Sequence, residues 1–475
     1  MTEFATTFVP TRPKTNRMMI SDSVSAQLAP WRKKRALVVG FTERTGYSAS
    51  SLFLKLGIPH AISDARSEEE LRPIWEKLPE PRPQLFSGPQ NTELLKDFDW
   101  VLLSPGVPRS APWLKEAAAR HIPLWNDVDW LSQFFETAGV EPVVVTGTDG
   151  KSTVTHLLAH VLQTEFKAPA VGNNGVPVLA HFEEILSSRH PVIEASSYML
   201  EDLKALRPRV GMITNLASDH LDRYPSLTAY HDAKKNLVRH MKSDDTWIVN
   251  LDNPGTAAFR PQGPRILTVS RKLQADVMVD EERIILGETI TLPLSTCRLQ
   301  GAHHVENMLM AAAAALDLGM APARVAEKLA NFSGLPHRCQ RVDVRRPIQV
   351  FDDSKATTVQ SVQKAVEGLP APIVLILGGR SKGLDFTSLR AFASRLRHVI
   401  FYGEAAAELR RSLPELPGTE RGSFAEAVES AWQLCQTGDT LLLSPGCTSW
   451  DQHRDYAERG QQFQAIVKKL DEKYS

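Results

Sequence analysis

Val143-Val-Val-Thr146-Gly147-Thr148-Asp149-Gly150-Lys151-Ser152-Thr153 decides the fold. Val143, Val144 and Val145 read as a buried strand, and two glycines then turn the chain. Val154, Leu157, Leu158, Val161 and Leu162 follow on one face of a helix. A Gly-Lys-Ser/Thr turn between strand and helix brings backbone N–H groups, an ammonium and a hydroxyl to one point. Nucleotide phosphates and their Mg²⁺ require that combination. The turn is shorter than the standard phosphate loop. G-x-x-x-x-G-K-[ST] needs glycine at position 145, where Val145 stands. The short form points to a narrower class of ATP users. The alternative is a glycine-rich turn that binds nothing.

Outward from this stretch, strand-like and helical runs alternate. Ala36-Leu-Val-Val-Gly40 and Trp100-Val-Leu-Leu-Ser-Pro-Gly106 end in turns typical of strand-to-helix junctions, and Leu52 to Leu56 reads as a helix between them. Further strands are expected near Val192-Ile193, Val210 to Thr214, Ile373 to Leu377, Val399 to Tyr402 and Thr440 to Ser444. Residues 246–300 read as short strands and turns, followed by helices at about Glu306 to Leu318 and Val325 to Phe332. The first thirty or so residues read as a weakly ordered extension. Such alternation predicts an α/β protein with mostly parallel sheets and ligands at the carboxyl ends of strands.

A chain of 475 residues allows about three domains of about 150 residues. We place them at 1–129, 130–334 and 335–475. Lys+Arg and Asp+Glu balance at 55 each, so charge gives no reason to expect nucleic acid or an anionic membrane. Cys297, Cys339, Cys435 and Cys447 form no CxxC pair, which suggests reduced thiols in a cytoplasmic protein rather than zinc or disulfides. No apolar run reads as a signal peptide or reaches the ~20 residues of a membrane span.

Four further segments place chemistry at strand ends. Glu194-Ala-Ser-Ser-Tyr198-Met199-Leu-Glu201 offers a carboxylate for Mg²⁺, or a strand cap. Thr214-Asn215-Leu-Ala-Ser218-Asp219-His220-Leu-Asp222-Arg223-Tyr224 offers a histidine for metal or substrate, though lone histidines are usually structural, and aspartates that could cap a helix. Phe351-Asp352-Asp353-Ser354-Lys355-Ala356-Thr357-Thr358 could take ribose and phosphate, or form an Asx turn. Leu377-Gly-Gly-Arg-Ser-Lys382-Gly-Leu-Asp385 and Leu443-Ser444-Pro-Gly-Cys-Thr-Ser449-Trp450-Asp451 offer a cation and hydroxyls for a small acidic substrate.

Taken together, these segments resemble the Mur ligase family of ATP-dependent amide-forming enzymes, from about residue 36 to the C-terminus. Thr146–Thr153 looks like the family's ATP loop, and Asp219-His-Leu-Asp-Arg-Tyr-Pro225 like its histidine-containing metal segment. Gly334-Leu-Pro-His-Arg338, Asp353-Ser-Lys-Ala-Thr357 and Ser444-Pro-Gly-Cys-Thr-Ser449 are similar to segments of the glutamate-adding branch.

The resemblance implies a Rossmann-like N-terminal domain for a UDP-sugar, a central mononucleotide-binding ATPase domain with a mostly parallel sheet, and a Rossmann-like C-terminal domain for the amino acid. It implies UDP-MurNAc-L-Ala and D-glutamate as substrates, ATP, two Mg²⁺ ions, an acyl-phosphate intermediate, and a cytoplasmic monomer that inserts in no membrane. L-glutamate, another amino acid, or a non-catalytic nucleotide-sugar-binding relative are the alternatives. A folate-type ligase shares the loop style but not the Gly334 and Ser444 segments.

Residue by residue, the resemblance assigns Gly147, Thr148, Asp149, Gly150, Lys151, Ser152, Thr153, Asn307, Arg338 and Asp353 to ATP. Ser152, Glu194, His220 and Lys234 would hold metal, with Lys151, His220 and Lys234 in catalysis. Lys234 matches a lysine that is carbamylated, since a bare ammonium would repel Mg²⁺; Lys235 is its neighbour. Asp64, Ser104, Pro105, Gly106 and Asn173 would meet the UDP-sugar. Thr357, Lys382, Ser449 and Tyr456 would surround the amino acid. Three features depart from the pattern. The Gly40–Gly46 turn is long. Met199 stands where glutamine is common beside the sugar. His304 stands where asparagine is common near the nucleotide.

Overall fold

Val143–Thr146 is a strand with every residue buried, and Lys151–Leu162 is the helix that follows it. A computed structural model describes residues 20–89, 92–107, 111–217, 224–299, 301–381 and 383–474. The described residues form three sheets within two compact units. One unit holds the chain to Leu292 together with Glu306–Ala326; the other holds Pro293–Val305 and Glu327 onward.

The first unit begins with β1 Ala36–Val39, β2 His60–Asp64, β3 Gln84–Ser87, β4 Trp100–Leu103 and β5 Leu124–Trp125. They form one parallel sheet in the order β3-β2-β1-β4-β5. Alternate residues of β1 serve two cores. Ala36 and Val38 pack with Phe53, Trp100 and Trp130, whereas Leu37 and Val39 pack with Val101, Leu103 and Leu114. Both faces are therefore covered, which is why the strand is apolar throughout rather than alternating.

The expected disorder of the first thirty residues is corrected from Asp22 onward. Asp22–Leu28 is a helix whose N-terminus is capped by the Ser21 side chain, with Val24 and Leu28 in the core. Residues 1–19 lie outside the described range.

The second sheet of this unit holds β6 Val143–Thr146, β7 Ala170–Gly172, β8 Val192–Glu194, β9 Val210–Ile213, β10 Thr246–Asn250, β11 Arg265–Ser270, β12 Val277–Asp280, β13 Arg283–Ile285 and β14 Thr291–Pro293. Its order is β14-β13-β12-β11-β10-β9-β6-β8-β7. The strands from β7 to β12 pair in parallel, and β12–β13 is antiparallel. β6 sits between β8 and β9, so the turns after these three strands open along one edge. The alanine-rich helix runs Ala302–Asp317, four residues earlier than expected, because the polar first turn at His303 carries no apolar signal.

The second unit carries β15 Gln340–Val342, β16 Gln349–Asp352, β17 Ile373–Gly378, β18 Leu396–Tyr402, β19 Gly418–Arg421 and β20 Thr440–Gly446, in the order β15-β16-β20-β17-β18-β19. Only the β15–β16 pair is antiparallel. Ile373, Leu375 and Leu377 face one apolar layer and Val374 and Ile376 the other.

Candidate active site

The turn after β6 owes its shape to its two glycines. Gly147 has φ +145° and Gly150 φ +78°, where other residues are strained. Space is equally restricted. A Cβ on Gly147 would lie 1.9 Å from Thr214 Oγ1, and one on Gly150 would lie 2.6 Å from Asn307 Oδ1. The expected adenine contact, Asn307, therefore packs on the turn itself.

Two residues quoted in the sequence but given no role there shape this turn. Thr214 Oγ1 donates to the Asp149 carbonyl at 2.5 Å. Asn215 Oδ1 accepts from the Asp149 and Thr148 amides at 2.9 and 3.2 Å. Both follow β9, so the neighbouring strand moulds the loop. Lys151 Nζ folds back on the turn, donating to the Gly147 and Thr148 carbonyls at 3.0 and 2.7 Å. Ser152 and Thr153 are buried in the first turn of the helix.

Lys234 reaches the same turn from the helix Leu227–Lys235. Its side chain is only 1% exposed, and Nζ donates to the Gly147 carbonyl at 2.7 Å while lying 4.4 Å from the centre of the Tyr230 ring. Lys235 points elsewhere, pairing with Asp232 at 3.0 Å. Glu194, the last residue of β8, is 1% exposed. Its Oε1 accepts from Asn173 Nδ2 at 2.9 Å, and its Oε2 is buried with no hydrogen-bond partner. A buried carboxylate oxygen left unpaired is costly unless a cation meets it. Among the described residues no three His, Cys, Asp or Glu side chains gather as a metal cage. His220 lies outside the described residues.

The edge of the first sheet gathers the other predicted group. Gly40, at φ +84°, ends β1, and a Cβ there would lie 2.9 Å from Ser104 Cβ. Ser104 is buried and donates to the Gly40 carbonyl at 2.5 Å; Pro105 and Gly106 continue that turn. The long Gly40–Gly46 turn closes on itself, since a Cβ on Gly46 would lie 2.6 Å from the Gly40 oxygen. Asp64 is buried at the end of β2. Burial alone would raise its carboxyl, but the Arg66 guanidinium and the Arg66 and Phe41 amides outweigh this and hold it below the usual range. Arg66 was not foreseen, although a basic residue two positions after a strand-end aspartate is the signal. Met199 stands where glutamine is common beside the sugar. It is 3% exposed within the apolar core, and its carbonyl accepts from Asn126 Nδ2 at 2.8 Å.

In the second unit, described predicted residues stand at the carboxyl ends of β16 and β20. Asp353 is buried; its oxygens accept from Ser444 Oγ at 2.8 Å and from the Cys339 amide at 3.1 Å. Burial raises its carboxyl to about 7 despite these bonds and the nearby Arg338 cation. Arg338 itself is exposed. Ser449 is buried in the loop after β20; Thr357 and Tyr456 are half-buried, and Tyr456 opens the last helix, Tyr456–Tyr474. Lys382 lies outside the described residues. His337 gave no role in the sequence, yet its Nδ1 lies 2.7 Å from Asp352 Oδ2, with Gln464 Nε2 2.8 Å from the same oxygen. His304 is largely buried, which lowers its imidazole to about 4, with the His303 ring 4.1 Å away.

A glycine-rich turn at the carboxyl end of an interior parallel strand, with a lysine and a serine in it and a buried carboxylate at the end of the adjacent strand, is the architecture of a mononucleotide-using α/β enzyme. Family models agree along the chain. A Mur ligase MurD-like N-terminal domain matches residues 34–126, a Mur ligase middle domain residues 145–315, and the Mur ligase glutamate ligase domain residues 337–447. UDP-N-acetylmuramoylalanine--D-glutamate ligase of Alkaliphilus oremlandii is 32% identical over 456 residues, covering 92% of this chain and 99% of that protein. The protein of the same name from Koribacter versatilis is 30% identical, covering 93% of this chain and 98% of that protein. Among solved structures, MurC from Thermotoga maritima shares the fold at a TM-score of 0.55 and 20% identity, over 91% of this chain and 99% of that one. The chain belongs to the Mur ligase family.

Proposed function

We propose that this chain joins D-glutamate to UDP-N-acetylmuramoyl-L-alanine at the expense of ATP, a step in peptidoglycan precursor synthesis. The observation that carries the reading is the meeting of Lys151 and Lys234 on the Gly147 carbonyl, with the Glu194–Asn173 pair at the carboxyl ends of the neighbouring strands β8 and β7. The full-length likeness to ligases of that name stands beside it.

In this reading the γ-phosphoryl group passes to the terminal carboxylate of the nucleotide sugar, leaving ADP and an acyl phosphate. The glutamate amine then attacks the acyl carbon, loses a proton, and inorganic phosphate leaves the tetrahedral intermediate. Crowded anions must be neutralised and water kept away. Lys151, now bonded to the loop carbonyls, turns its ammonium to the β/γ-phosphates. Gly147–Thr153 supply N–H groups and hydroxyls, and Asn307 the base contact.

Glu194 Oε2 and Ser152 fit Mg²⁺, which favours oxygen ligands. Bound there, the ion would neutralise phosphate charge. His220 and a carbamylated Lys234 would hold a second ion. A bare Lys234 ammonium would repel the metal; after losing a proton, the neutral amine would add to CO₂ and release a second proton, forming an N–C bond and an anionic carbamate that donates oxygen.

Asp64, Ser104, Pro105, Gly106 and Asn173 belong to the UDP-sugar. Thr357, Lys382, Ser449 and Tyr456 belong to glutamate, with Arg338 and Asp353 on phosphate and ribose. Met199 is buried in the core, and we take the sugar contact common at that position to be made by a neighbour here. We place the domain limits at residues 129 and 334 and expect a cytoplasmic monomer. Among the described residues no helix is long and apolar enough to cross a membrane.

Lys151→Ala tests the enzymatic reading. Phosphate release should fall by roughly 10²–10³-fold, as for loss of one oriented charge-stabilising donor, while binding of the UDP-sugar stays near that of the parent. Unchanged release would sink the assignment.

A further inference from the structure

Arg459 is completely buried on the last helix, one turn after Tyr456. Every hydrogen-bond partner of its guanidinium is neutral. Nε donates to Ser354 Oγ at 3.0 Å and one terminal nitrogen to the Ser354 carbonyl at 2.8 Å. Both terminal nitrogens reach the Cys447 carbonyl at 3.2 Å, and one also meets the Tyr402 hydroxyl at 3.2 Å. Burial pushes that hydroxyl up to about 12, so it stays protonated and offers no counter-charge. A desolvated cation without a carboxylate is costly, and a core built only for stability would place an apolar side chain here.

The partners explain its presence. Ser354 lies in the turn after β16, Cys447 in the turn after β20, and Tyr402 ends β18. The turn after β17 contributes Gly379, where a Cβ would lie 3.2 Å from the guanidinium and 2.2 Å from the Thr448 oxygen. One side chain therefore ties the carboxyl ends of neighbouring strands. Ser354 passes the tie on: its Oγ donates to the Tyr456 carbonyl at 2.7 Å and its amide to Asp352 Oδ1 at 3.0 Å.

We propose that Arg459 is a positioning residue for ligation, setting the turn after β16 against the turn after β20 so that Thr357, Ser449 and Tyr456 form one amino-acid site. This rests on reading those turns as the glutamate site. The planar fork is needed, because it reaches acceptors on three strand ends at once; a lysine has one nitrogen and a single point of approach.

The test is steady-state kinetics of Arg459→Lys beside the parent, with each substrate varied and thermal unfolding recorded. The KM for glutamate should rise about tenfold or more, the scale on which small misplacements act, while the KM for the nucleotide sugar stays within about twofold. An unchanged glutamate KM overturns the proposal. So does a uniform loss across all substrates in step with a lowered unfolding temperature, which marks a merely structural role. If Arg459→Lys is insoluble, Ser354→Ala removes the hydroxyl that links Arg459 Nε to the Tyr456 carbonyl. A glutamate KM raised about threefold or more then supports the proposal, and an unchanged one overturns it. A parent protein that shows no glutamate-dependent turnover overturns the reading of the site instead.

Discussion

At the scale of single residues, burial decides which charges matter. Asp353 is held by one hydroxyl and one amide, too little to offset its desolvation, so its carboxyl sits near 7 rather than its usual 3.8. Between those values the folded chain keeps a proton that the unfolded chain has released. Stability is therefore greater at low pH in that window and is lost as pH rises through about 7. Asp127, raised to about 6 by burial, acts in the same direction. Urea midpoints measured from pH 5 to pH 8 should fall with rising pH more steeply in the parent than in Asp353→Asn. Parallel profiles would contradict the account. For Lys234, replacement by alanine should abolish turnover, and short carboxylic acids should restore part of it by supplying the missing oxygens. A near-normal Lys234→Ala enzyme would remove the carbamate from the mechanism.

At the scale of elements, the turn after β6 is specified by its neighbours as much as by its own residues. Thr214 and Asn215 on the next strand fix Asp149 and Thr148, and Asn307 leaves no room for a side chain at Gly150. Gly147→Ala forces a Cβ to 1.9 Å from Thr214 Oγ1 in a backbone region disfavoured for alanine. It should cost about 1–3 kcal/mol of stability and weaken ATP use roughly tenfold or more. Differential unfolding and an ATP titration read the two effects, and a wild-type ATP response would mean that the loop does not hold phosphate. The buried strands were legible because Val143–Val145 or Ile373–Leu377 are apolar runs that end in glycine. The helix Asp22–Leu28 was not, because only Val24 and Leu28 mark its buried face among serines and a glutamine.

At the scale of the whole molecule, much of the candidate site was legible because its residues stand in short segments directly after strands. Lys151 and Lys234 meet at the turn after β6, Glu194 and Asn173 pair at the ends of β8 and β7, and Asp353 and Ser444 meet between β16 and β20. The contributors that escaped reading differ in reach. Arg66 stands two positions from the buried aspartate it neutralises and His337 fifteen from Asp352, whereas Arg459 bonds Ser354 from 105 positions away along the chain. No local pattern announces such partners, because the sheet order that brings them together is set by packing. Met199, at a position where glutamine is common beside the sugar, is buried in the apolar core.

Phosphate release by the purified protein, with Mg-ATP, UDP-MurNAc-L-Ala and either isomer of glutamate, tests the central claim most directly. The account predicts release that requires the nucleotide sugar and D-glutamate together. Release with L-glutamate alone, or none with either isomer, would contradict it.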